Sequence, residues 1–144
     1  MSEMIEQTIK ESPLFKHLTE EAVNALVEGA SVEVYQTGQK IIAENSPVSH
    51  LYVVLMGRVR VSTIGPEGEV ELKTLGPGAY FGEVSLLSGN NATATVEVRT
   101  GPAQIVGIKK DDVLRLVAED DKVRRMLQGV TIARAKDTIG KVLK

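Results

Sequence analysis

HLYVVLMGRVRVSTIGPEGEVELKTL, residues 50–75, decides the fold. Val59, Val61 and Thr63 alternate with Arg58, Arg60 and Ser62, so one face is apolar and the other polar, the two-residue period of a half-buried strand. IGPEGEV then reads as a hairpin connection into EVELKTL. Outward from this hairpin the same texture repeats in SVEVYQ, KIIAE, ATATVEV and AQIVGIK, with turn glycines at Gly38, Gly57, Gly65, Gly68, Gly76 and Gly78. This many short β-branched runs between residues 31 and 109 predicts a sandwich, barrel or jelly roll. No long helix separates the runs, which disfavours a parallel βαβ arrangement.

Helical texture flanks the strands. In residues 1–30, Ser12 before Pro13 suits an N-cap, and Thr19 suits another, with Glu20 and Glu21 at the positive end of the helix it would start. Ala22, Val23, Leu26 and Val27 recur at helical spacing, and Gly29 marks a stop. In residues 110–144, Asp111 is the expected cap for Val113, Leu114, Leu116 and Val117, and a second helix is expected to start near Asp120. Its stripe of Val123, Met126, Leu127, Val130 and Ala133 either packs on the chain's own roll or forms a homodimer seam; Gly140 weakens its last turns. The expected class is therefore mainly β with flanking helices, one domain over residues 1–144.

Composition excludes several functions. The chain of 144 residues has a net charge of −2 and no cysteine. Nothing draws it toward nucleic acid or an anionic membrane, and disulfides and thiolate chemistry are ruled out. No apolar stretch approaches the roughly 20 residues of a membrane span. The polar start MSEMIEQTIKES is unlike a secretion signal, so the expected location is cytoplasmic. The two histidines, His17 and His50, have no histidine at ligand spacing, so no metal is expected, and a cupin-like metalloenzyme lacks its ligands. No nucleophile elbow or phosphate loop is present, and the acidic pairs Glu20–Glu21 and Asp111–Asp112 suit helix starts better than catalysis.

The informative segment is TLGPGAYFGEVSLLSGNNATATVEV, residues 74–98. Gly76-Pro77-Gly78 makes a tight turn, and Gly82 permits close approach of backbone to a bound group. Glu83 opens a short apolar helix that ends near Gly89, whose first amides suit an anion. A hydroxyl of Thr93 or Thr95 on the next strand is expected to reach the same pocket, and a glutamate there can accept from the two hydroxyls of a sugar.

This segment resembles the phosphate-binding cassette of the cyclic-nucleotide-binding domain family, found in regulatory subunits of cAMP-dependent kinase, catabolite-activator-type regulators and gated channels. SPLFKHLTEEAVNALV resembles the family's opening helices, and YQTGQKIIAENSPVSHLYVVLMGRVRV its early strands. Gly38 and Gly57 fall where the family keeps glycines, and Asn45 where glycine is common. Phe81-Gly82-Glu83 matches the family's signature.

The resemblance implies a double-stranded β-helix (β-roll) and a non-enzymatic, ligand-sensing regulatory module. It implies ligand contacts from Phe81, Gly82, Glu83, Val84 and Ser85 on one segment and from Ala92, Thr93 and Ala94 on the next. Gly82 and Glu83 would hold a ribose hydroxyl. The family's phosphate-neutralising arginine corresponds to Ala92, and no arginine or lysine lies between Lys73 and Arg99. Loss of one charge-assisted contact is expected to weaken cAMP or cGMP binding by roughly ten- to several-thousand-fold. Without a nearby cation, Glu83 is expected to repel phosphate. Arg124 and Arg125 on the last helix are candidate lid contacts. The alternative is a degenerate member that binds another small molecule or acts through protein contacts alone. Either way the expected partner is a separate effector protein.

Overall fold

The computed structural model describes residues 2–12, 14–16 and 18–129. The expectations for Pro13, His17, Val130, Ala133 and Gly140, and for a lid or dimer seam beyond residue 129, lie outside the described residues. In chain order the elements are α1 (Ser2–Glu11), α2 (Glu20–Gly29), β1 (Ser31–Tyr35), β2 (Lys40–Ile42), β3 (His50–Gly65), β4 (Gly68–Leu75), β5 (Tyr80–Phe81), α3 (Glu83–Ser88), β6 (Thr95–Lys109) and α4 (Lys110–Glu119). Residues 121–129 form a further helical stretch, α5.

The strands make an antiparallel sheet of order β1-β6-β3-β4, with β2 on β6 and β5 on β3. This is the β-roll with flanking helices that the sequence implies. The hairpin forms as expected: Gly65 pairs with Gly68 across the two-residue turn Pro66-Glu67. Two pairs of apparent strands prove continuous. HLYVVLMG and RVRVSTI are one strand, β3, and ATATVEV and AQIVGIK merge into β6. Gly57 bends β3 rather than ending it. Its φ is +90°, and a Cβ there would stand 2.8 Å from Ala103 Cα. The β3–β6 register shifts on both sides of this point, which lets both long strands fold over together.

Two apolar clusters result. One fills the roll: Ile42, Val54, Val59, Val61, Leu72, Phe81, Ala92, Val96, Val98, Ala103 and Ile105. The other lies between the sheet and the helices, where Leu51, Val53, Val106 and Ile108 meet Ile5, Ile9, Val23, Leu26, Val113, Leu116, Val123 and Leu127. Strand alternation sorts neighbours such as Val53 and Val54 into different clusters. Of the C-terminal stripe, Val123 and Leu127 thus pack on the chain's own core.

The caps follow the sequence in part. Thr19 Oγ1 accepts from the Ala22 amide at 3.2 Å, as expected. Asp120 Oδ1 accepts from the Lys122 and Val123 amides and starts α5. Ser12 instead follows α1. Its carbonyl accepts from the amides of Phe15 and Lys16, which closes one turn and starts no helix. Asp111 lies inside the first turn of α4, because β6 runs straight into that helix at Lys109.

Gly57→Val forces a β-branched residue into the left-handed region and against Ala103. It should lower stability by about 2–4 kcal/mol in urea unfolding; an unchanged midpoint would refute this account of the bend.

Candidate functional site: a cleft at the short helix

The site begins where β5 pairs with β3, Tyr52 opposite Phe81. Their rings stack at 5.2 Å, which fixes the entry to the cassette. Burial, then the nearby Glu33 carboxylate, holds the Tyr52 hydroxyl above its ordinary pKa, against the Ser49 hydrogen bond that lowers it. Gly82 follows at φ +95°. A Cβ there would lie 2.9 Å from the His50 carbonyl oxygen, so only glycine passes this point without strain. The turn releases α3, which Gly89 stops in the same left-handed conformation. Leu86, 2% exposed, anchors α3 in the helical cluster, while Glu83 (2%) and Ser85 (6%) are buried polar groups on the same short helix.

The segment after α3 is held by the loop at 43–46. The Asn45 amide donates to the Ala92 carbonyl at 2.8 Å, and the Ala92 amide donates to the Ser46 carbonyl at 2.8 Å. Asn45 takes the left-handed conformation, φ +70°, as expected of the residue best able to replace glycine there. Glu44 pins this loop to β3. Its Oε1 accepts from Thr63 Oγ1 at 2.7 Å and from the Ile64 amide at 3.2 Å.

A cleft of ≈ 80 Å³ opens between these segments, room for roughly half a dozen waters. Phe81, Gly82, Glu83, Val84, Ser85, Ala92, Thr93 and Ala94 all line it. The eight residues that the resemblance singles out are therefore brought to one place. Thr95 is not: its hydroxyl accepts from the Glu44 amide at 3.0 Å. Arg124 and Arg125 stand apart from the lining. Both engage Asp121, Arg125 Nη2 lying 2.9 Å from Oδ2, and this pairing, Arg125 first, holds the Asp121 carboxyl below its ordinary range.

Sequence reasoning missed the opposite wall. Ile42, Val48, Val61, Leu72, Lys73, Leu75 and Val96 complete the lining. Lys73, ten residues before Glu83 in the sequence, adds a cation to the lining that holds Glu83. The available signal for β4 lying against this wall was its pairing with β3, which any hairpin at Pro66-Glu67 requires; that Lys73 faces the cleft depends on a register shift that the sequence does not show. A larger hollow of ≈ 550 Å³ lies beside α1, bordered by Thr8, Glu11, Leu55 and the 77–80 turn. Glu11 is its one charged residue, so it offers an anion nothing. Among the described residues there is no group of three or more His, Asp or Glu able to hold a metal, and no helix long and apolar enough to cross a membrane.

The family model described as "Cyclic nucleotide-binding domain" matches residues 32–120, from the first strand through the fourth helix. The chain belongs to the cyclic nucleotide-binding domain family. It is 28% identical over 126 residues to cGMP-dependent protein kinase 2 of Mus musculus, which covers 86% of this chain and 16% of the kinase. It is 33% identical over 129 residues to the mouse potassium/sodium hyperpolarization-activated cyclic nucleotide-gated channel 2, covering 90% of this chain and 14% of the channel. The Thermus thermophilus catabolite activator protein superposes with a TM-score of 0.76 at 28% identity, over 88% of this chain and 60% of that one. The chain thus spans a small part of the curated relatives it matches.

Glu44→Ala removes two hydrogen bonds that tether the loop supporting Ala92. It should lower stability by about 1–3 kcal/mol and speed amide exchange at Asn45 and Ala92. Unchanged exchange at both amides would show that the loop is held by other means.

Proposed function

We propose that this domain is a non-enzymatic sensor that binds a cyclic nucleotide in the cleft, with affinity lowered by Ala92. The observation that carries the reading is the convergence of the eight cassette residues on one cleft with a buried carboxylate, Glu83, among them. Burying a carboxylate is costly, so its place beside a cleft points to a role there. Gly82 and Glu83 would engage the ribose hydroxyl, and Thr93, which is exposed, would offer a further hydroxyl to the ligand.

The same arrangement suggests how occupancy is transmitted. The short helix α3 touches the cleft through Glu83 and Ser85 and the helical cluster through Leu86. A ligand that draws α3 inward would shift the packing of α1, α2, α4 and α5 around Leu86, a two-state change biased by the ligand's preference for one state. The output would pass to a separate effector protein or a further domain, or to a second copy docked along the C-terminal helix.

Titration calorimetry with cAMP and cGMP, paired with hydrogen exchange, tests this. The expected result is saturable heat with Kd between about micromolar and millimolar, with slower exchange in α3 and altered exchange in α4 and α5. No heat and no thermal shift at millimolar nucleotide would overturn the cyclic-nucleotide reading. Binding without any change in the helices would overturn the transmission step alone.

A further inference from the structure

The cleft's positive charge sits on the strand wall opposite the cassette. Of its lining residues, Lys73 alone is cationic and Glu83 alone is anionic. The placement of Lys73 has a local cause. Val61 pairs with Lys73 and Ser62 with Glu71, which leaves Leu72 as an extra residue in β4. Regular alternation would send one of two consecutive residues to the outer face. The bulge brings both Leu72 and Lys73 to the cleft. Bulges of this kind re-aim side chains beside functional sites.

Two arginines of the roll pair with carboxylates outside the cleft. Arg60 binds Glu69, Glu71 (3.0 Å) and Glu97 (2.8 Å), and Arg99 binds Glu71. Neither lines the cleft. Lys73 is half-buried, and its flexible four-carbon stem can carry the ammonium across a cleft of this size.

We propose that Lys73 is the anion-binding residue of this site, serving the phosphate of a nucleotide in place of an arginine at position 92. The assignment rests on the cyclic-nucleotide reading and extends it. A lysine is a compact point charge without the planar fork of arginine. It attracts phosphate but imposes little geometry on it, so the cleft should take a nucleotide monophosphate nearly as well as a cyclic one.

The test is calorimetry on the full chain with cAMP, AMP and adenosine, the last a neutral probe of sugar and base contacts. Lys73→Met should weaken cAMP and AMP by about tenfold or more and leave adenosine unchanged. Lys73→Arg should keep cAMP binding. The salt dependence of cAMP affinity should be present in the parent and lost in Lys73→Met. Thermal unfolding of both variants checks that the fold is intact, and if Lys73→Met is unfolded the salt dependence of the parent decides. A parent that binds cAMP, with Lys73→Met binding it within about threefold or with no salt dependence, overturns the Lys73 assignment alone. A parent that binds no nucleotide overturns the assignment together with the reading beneath it.

Discussion

The pairing of β3 with β6 around Gly57 is the constraint on which the structure depends. Both strands are too long to lie flat, and they bend together where Gly57 lets Ala103 approach within a distance that any side chain would block. Beyond the bend, Val59 and Val61 face Val98 and Val96 and close the roll. Before it, Leu51 and Val53 face the helices. The cleft lies at the closed end because β6 enters there, directly after the cassette, and because β4 returns there from the hairpin. A site made of segments from four parts of the chain is held by one shared bend.

The cleft itself is built by backbone more than by side chains. Gly82 turns the chain under the His50 carbonyl, and the loop at Asn45 grips Ala92 through two main-chain hydrogen bonds. Glu44 and Thr63 then tie that loop to β3. Such a frame rests on the main chain at position 92 rather than on its side chain. The scaffold and the charge it presents are therefore separable.

Much of this was legible in the sequence. Alternation in residues 58–61 and the turn at Pro66-Glu67 pointed to the hairpin, although Ser62, expected on the polar face, is buried, and the resemblance around Phe81-Gly82-Glu83 picked out eight residues that line one cleft. Thr19 was legible as a cap because its role is local. What escaped was whatever depends on tertiary neighbours. Gly57 looks the same in sequence whether it ends a strand or bends one. Ser12 carries cap chemistry, yet the helix ends before it. Thr95 carries a hydroxyl like Thr93, but its position across from β2 commits it to the Glu44 amide. Lys73 escaped because a one-residue bulge is invisible to a two-residue period.

The most direct measurement is an amide ¹⁵N–¹H spectrum of the labelled chain titrated with cAMP. The cleft account predicts saturating shifts at Gly82, Glu83, Ser85 and Thr93, with a smaller change at Lys73. Shifts confined to the hollow beside Thr8, Glu11 and Leu55, or a spectrum that does not move at millimolar nucleotide, would contradict it.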